Sequence, residues 1–178
     1  MNPLQEDALI ITAHRSGDPE AFGQLYEKYV STLFQFLYQR TLNRGVAEDL
    51  TSDVFFKALN RIHSFNGDKS SFKTWLFTIA RNTLIDHYRT QHPHQDITDA
   101  WDVPSNENVE AKIEKKIEFE SLKRELNKLS PEVREILMMR FWNQLSFKEI
   151  AEITKKSEAS LKMCVSRAVK ASNRVRCY

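Results

Sequence analysis

Lys162, Met163, Ser166, Arg167 and Lys170 recur at spacings of one and three, which on a helix gathers them onto one arc. Leu161, Cys164, Val165 and Ala168 alternate with them and supply an opposite, packed side. From Thr154 to Tyr178 the chain carries seven Lys or Arg and one acid, a net of +6 in a sequence whose total is +2. Cations at that density neutralise phosphates, and a helix of small side chains fits a duplex major groove, where side chains reach base edges. The competing account is a solvated helix at a chain end. The helix-turn-helix spacing described below, together with the one-sided charge, weighs against it.

A second cluster mixes aromatic with basic groups. In SFKTWLFTIARNTLIDHYR, Phe72, Trp75, Leu76 and Ile79 alternate with Lys73, Arg81, Asn82 and Arg89. Aromatic rings stack on unpaired bases while cations hold the backbone, which is the chemistry of single-strand capture. Taken alone, the same stretch describes an amphipathic helix with a buried Trp. His87, His92, His94 and Asp96 lie close together, but their spacing is not helical and no paired outer groups orient them. No metal site, cofactor or catalytic residue is predicted from them. The loop SFNGDKSS is too short and too poor in glycine to cradle a phosphate.

These residues need helices to place them. Near the C-terminus, Phe147, Ile150, Ala151 and Ile153 form a short amphipathic helix, Thr154 to Ser157 interrupt it, and periodicity resumes at Leu161. This is a helix-turn-helix pattern, with Ser157 as N-cap of the second helix and Glu158 in its first turn. Upstream, residues 7–15 make a short helix ending at Gly17, and Asp18-Pro19-Glu20 starts another. Phe22, Leu25, Tyr26, Tyr29, Val30, Leu33, Phe34 and Leu37 give that second helix an aromatic-rich core stripe, closed by Asn43-Arg44-Gly45. A third helix, about Val46 to Ile62, buries Leu50, Val54, Ala58 and Ile62 and turns Glu48, Asp49, Ser52, Asp53 and Lys57 outward. Phe55, Phe56 and Leu59 widen its apolar arc, which suits a broad core face or a partner surface equally. Ser71 caps the fourth helix. After a stretch without period, a polar helix from Lys112 passes Phe119, Leu122, Leu126 and Leu129. Ser130-Pro131-Glu132 then starts a helix with Val133, Ile136, Leu137, Phe141 and Trp142 as its expected core face.

Composition agrees with this. With four glycines in 178 residues and long 3.6-period runs, the fold class is all-α. Charge divides the chain: residues 1–92 net 0, 93–119 net −4 and 120–178 net +6. Two small helical domains, 1–92 and 119–178, joined by a flexible acidic linker over 93–118, are therefore expected, the C-terminal one containing the helix-turn-helix. No 18-residue apolar run and no secretion-type leader pattern occur, so no direct membrane insertion is expected. Cys164 and Cys177 lack metal spacing and fit free thiols in a reducing cytoplasm.

The order AEDLTSDVFFKAL, a short loop, FKTWLFTIARNTLIDHYR, an acidic linker, LSPEVREILMMRFWNQLSFKEIAEI and a basic helix resembles the extracytoplasmic-function (ECF) sigma factors of bacterial RNA polymerase, over nearly the whole chain. The resemblance implies a non-enzymatic subunit that confers promoter recognition and DNA melting on polymerase core, built from regions two and four only. It implies that Asp49, Ser52, Asp53, Phe55 and Leu59 dock on the β′ clamp helices. Phe65, Asn66, Lys69 and Trp75 would surround a base flipped from the minus-ten element, and Arg81, Asn82 and Asp86 would contact its upstream part. Lys162, Met163, Ser166, Arg167 and Lys170 would read the minus-thirty-five element. Implied partners are polymerase core, through the β′ clamp helices and the β flap, promoter DNA, and an anti-sigma factor, a membrane-bound one included. The implied location is the bacterial cytoplasm, with the acidic linker in the channel that nascent RNA later takes.

Two departures from the family pattern stand out. Where its recognition helices commonly carry Thr-Val-Lys-Ser-Arg, this chain has Ser160-Leu161-Lys162-Met163-Cys164, which removes donors and leaves more of the reading to DNA shape. Thr78 and Ile79 stand where housekeeping sigma factors have a tryptophan pair, a lack the family shares. The alternative function is a free-standing helix-turn-helix regulator that binds duplex DNA as a dimer without polymerase.

Overall fold

The computed structural model describes residues 3–18, 20–91 and 129–175. Among them are seven α-helices, one 3-10 turn and no strand. The chain divides into two compact units, Met1–Pro93 and His94–Tyr178.

The first unit holds α1 (Pro3–Arg15), α2 (Ala21–Thr41), α3 (Arg44–Arg61), a 3-10 turn (Ile62–Ser64) and α4 (Phe72–Gln91). α1 begins earlier than the sequence suggests and ends where Gly17 takes φ +98°, its amide donating to the His14 carbonyl. The Asp18 carboxylate accepts the Glu20 amide at 2.9 Å and turns the chain into α2. The expected closing signal Asn43-Arg44-Gly45 does something else. Leu42, at φ 47°, ends α2 by donating its amide to the Tyr38 carbonyl, and Asn43 is the N-cap of α3, accepting the Val46 amide at 3.1 Å. An Asn side chain satisfies an orphan donor at a helix start, and here that gain fixes the boundary. A non-glycine residue in the left-handed region costs about 1–2 kcal/mol, which the second helix start offsets.

Leu25, Leu33 and Leu37 of α2, Leu50, Val54 and Ala58 of α3 and Leu76, Ala80 and Leu84 of α4 are buried together with Ile62. Phe36 and Phe77 join them edge to face, with ring centroids 4.9 Å apart. Polar ties accompany this packing. The Tyr88 hydroxyl donates to the Arg40 carbonyl at 2.6 Å, linking α4 to α2, and the Arg40 guanidinium lies 3.6 Å over the Phe36 ring. Asp7 of α1 is buried and accepts from Lys28 at 2.6 Å and from the Tyr29 hydroxyl, linking α1 to α2. Burial disfavours the Lys28 ammonium, but its bonds to Asp7 and Glu6 prevail and raise its pKa.

The second unit holds α5 (Pro131–Phe141), α6 (Phe147–Thr154) and α7 (Glu158–Val175). Ile136, Met139, Leu145, Ile150, Ile153, Leu161 and Val165 form its core. Two expected core residues fall outside it: Phe141 is 55% exposed and Trp142 42%. Phe141 is the last residue of α5 and Trp142 its C-cap, after which the chain turns at Gln144, φ 52°, and the Leu145 amide donates to the Met139 carbonyl. That turn brings Leu145, fully buried, into the core, while Phe141, still helical, lies on the exposed side of the last turn of α5. Met138, Arg134 and Glu135 are buried as well, so α5 is covered on more than the one face its period indicates.

Candidate nucleic-acid and polymerase interface

The helix-turn-helix is built by caps. Ser146 accepts the Glu149 amide at 3.2 Å while the Glu149 carboxylate accepts the Ser146 amide at 2.7 Å, a reciprocal capping box that fixes the start of α6. Lys155, at φ 58°, ends it. Ser157 accepts the Ser160 amide at 3.3 Å and starts α7, as the sequence predicts. With Leu161, Val165 and Ala168 inward, Lys162, Met163, Ser166, Arg167 and Lys170 are all exposed on the other arc. Lys162 stands 3.4 Å from Glu158 and 5.9 Å from the Phe147 ring. Met163, 51% exposed, sets an apolar thioether amid the charges. Cys164 is half-buried rather than fully packed, and burial, with Glu132 nearby, pushes its thiol pKa up. It stays protonated and adds no charge to the arc.

In the first unit the loop before α4 is a defined structure. Phe65 is buried, its ring 5.8 Å from Phe72 and 5.3 Å from Trp75, so it forms the floor of the loop and is not itself open to a base. Its apolar ring gains more from that aromatic cluster than from water, which removes it from the expected contact set. Asn66 accepts the Asp68 amide at 2.9 Å through its side chain and the Lys69 amide at 3.2 Å through its carbonyl, raising Asn66 to Lys69 as an exposed turn. Ser71 accepts the Thr74 amide at 3.1 Å and caps α4 as predicted. Trp75 is half-buried beside the turn, and Arg81, Asn82 and Asp86 follow along α4, the last two exposed. Ile79 is buried and the Thr78 hydroxyl donates to the Thr74 carbonyl at 2.8 Å, so neither stands as a wedge. Among the described residues no group of His, Cys, Asp and Glu could hold a metal ion. His92, His94, Asp96 and the whole linker lie outside the described residues. Burial lowers the pKa of His87.

The third surface is α3. Asp49 and Ser52 are exposed, and Asp53 pairs with Lys57 at 2.8 Å. Phe55 is withdrawn from the expected docking set: it is 4% exposed and packs on Tyr26 at 4.7 Å and Phe22 at 6.4 Å. Position 55 falls on the stripe facing α2, whereas Phe56, 65% exposed, and Leu59 point out. The geometry thus offers an exposed cationic arc in one unit, and a raised polar turn and an acidic-apolar face in the other. No described helix is long and apolar enough to cross a membrane.

Comparison with known proteins accounts for this combination. Residues 25–93 match the family model for sigma-70 region 2 and residues 119–171 the model for sigma-70 region 4. The ECF RNA polymerase sigma factor BldN of Streptomyces coelicolor is 32% identical over 164 residues, which cover 90% of this chain and 62% of that one. The RNA polymerase sigma factor YlaC of Bacillus subtilis is 33% identical over 157 residues, covering 84% and 88% respectively. Among solved structures, the sigma factor RpoE of Bartonella quintana, in complex with the anti-sigma factor NepR, aligns with a TM-score of 0.69 at 27% identity, covering 85% of this chain and 93% of that one. With both family models matched in order on two helical units, and with the ECF RNA polymerase sigma factor SigM of Bacillus subtilis 32% identical over 146 residues that cover 82% of this chain and 88% of that one, the chain belongs to the ECF sigma factors, which confer promoter recognition on bacterial RNA polymerase.

Proposed function

We propose that this chain recruits RNA polymerase core to promoters by dividing the work among the three surfaces. α7 docks in the major groove of the minus-thirty-five element through Lys162, Met163, Ser166, Arg167 and Lys170. The turn Asn66 to Lys69, with Trp75 beside it, takes an unstacked minus-ten base, and Arg81, Asn82 and Asp86 follow the strand upstream. Unstacking costs a few kcal/mol, recovered through stacking and contacts in the pocket. Asp49, Ser52, Asp53, Phe56 and Leu59 dock on the polymerase clamp. The observation that carries this reading is the exposed cationic arc of α7, seated on a helix-turn-helix with caps at both helix starts.

An anti-sigma factor belongs to the same proposal. Phe56 and Leu59 leave an apolar face open beside acidic groups, and a partner that covers it keeps the free protein from polymerase. The similar sigma factor RpoE from Bartonella quintana is in complex with the anti-sigma factor NepR.

Transcription in vitro with purified bacterial core on a pool of promoter fragments tests the function. Start sites that appear only when both proteins are present are the expected result. A symmetric footprint on duplex DNA with no polymerase would instead support a free-standing dimeric regulator.

A further inference from the structure

The last residue of α1 reaches across the first unit to the loop before α4. Arg15 Nη2 donates to the Ile62 carbonyl at 2.8 Å and to the Phe65 carbonyl, with the His63 carbonyl at 3.5 Å. These carbonyls close α3 and its 3-10 turn, where the helix leaves acceptors unpaired and a cation is favoured. The Phe65 amide donates to the Ile62 carbonyl at 3.2 Å, so the same corner is tied from within. Phe65 is thus held twice: its carbonyl by Arg15, its ring by Phe72 and Trp75. The exposed turn from Asn66 to Lys69 begins at the next residue.

We propose that Arg15 is a positioning residue for minus-ten recognition: it fixes the Phe65 carbonyl and so sets the height and angle at which the Asn66 to Lys69 turn meets the unstacked base. This rests on the assignment of that turn to base capture made above. Arg15 is itself exposed on α1 and touches no base in this scheme. All three carbonyls are met by the one nitrogen Nη2, so a lysine ammonium, likewise a single nitrogen but on a shorter and more flexible stem, keeps part of that contact. A pocket displaced by about 1 Å loses much of its discrimination, because selectivity depends on groups held close to their productive geometry.

The test uses the full chain with bacterial core on a barcoded promoter library in which the minus-thirty-five and minus-ten windows are both randomised. The readout is the ratio of transcripts from the best and next-best base at each position, which does not depend on how much of the protein is folded. Arg15→Gln should flatten the minus-ten ratios by about tenfold, the scale of one mismatched base pair, and leave the minus-thirty-five ratios intact. Arg15→Lys should fall between it and the parent, and carries the comparison alone if the Gln variant does not fold. A general loss of transcripts with unchanged ratios would overturn the proposal by giving Arg15 a purely structural role. Asn66→Ala on the same library separates the two readings. If it leaves the minus-ten ratios untouched, the turn does not read the base and the assignment beneath this proposal falls. If it flattens them while Arg15→Gln does not, only the role of Arg15 is lost.

Discussion

Lys57 of α3 donates to the Thr83 hydroxyl of α4 at 3.1 Å while holding Asp53 of its own helix at 2.8 Å. One ammonium therefore joins the helix assigned to polymerase docking to the helix assigned to the minus-ten strand. Asp53→Arg sets a second cation beside Lys57 on a partly exposed face. It is expected to weaken co-purification with core by at least about tenfold, since like charge against a complementary patch costs several kcal/mol. Circular dichroism should show its helices intact, because an exposed ion pair contributes under about 1 kcal/mol. Normal core binding by a folded variant would remove α3 from the interface.

The arc of α7 makes an electrostatic prediction. Arg167→Ala and Lys162→Ala should each reduce promoter affinity and lower the slope of log affinity against log salt by about 1, the loss of one phosphate contact. Holoenzyme binding titrated from low to moderate salt measures both. If the slopes match the parent, neither side chain lies on a phosphate.

The corrected core of the second unit predicts an inverted pair of stabilities. Leu145→Ala should cost about 2–5 kcal/mol, as expected for a fully buried leucine, while Phe141→Ser should stay within about 0.5 kcal/mol. Urea unfolding followed by tryptophan fluorescence compares the two. A larger loss at Phe141 would restore the helix face read from the sequence.

His87 supplies a pH dependence. Burial lowers its folded pKa below the value of an unfolded histidine, so near pH 6 the unfolded chain binds more protons and stability falls as pH drops through that range. His87→Gln should flatten the fall between about pH 7 and pH 5. Thermal melts across that window would show an unchanged slope if His87 is not involved.

Much of this was legible in the sequence, and the limits have physical causes. The stripe Leu50, Val54, Ala58 and Ile62 and the caps Ser71 and Ser157 follow from local period and local hydrogen bonds, and all stand in the structure. The cap at Asn43 was visible as a residue but not as a choice, since an asparagine between two helices can close one or open the next. Phe141 misled because it is helical yet falls on the exposed side of the last turn, and Trp142 because it caps the helix, after which Gln144 takes a left-handed φ and Leu145 fills the core instead. Phe55 and Phe56 are neighbours of one type, and only the packing of Tyr26 and Phe22 decides which is buried. Arg15 carried no signal at all: its carbonyl partners lie 47, 48 and 50 residues away.

The turn between α6 and α7 passes through Lys155 in the left-handed region, a place where glycine would be the relaxed choice. A residue with a Cβ has fewer conformations to lose than glycine when the chain folds, so part of the local strain is offset in the denatured ensemble. It also has fewer neighbouring basins to visit once folded. In the role proposed for it, α7 would be delivered at a set pitch to its partner helix, and the entropy of fixing that corner would be met during folding instead of at the promoter. Promoter search in that role would use a stiff probe, whose hits and misses separate by contacts made and not by shapes tried.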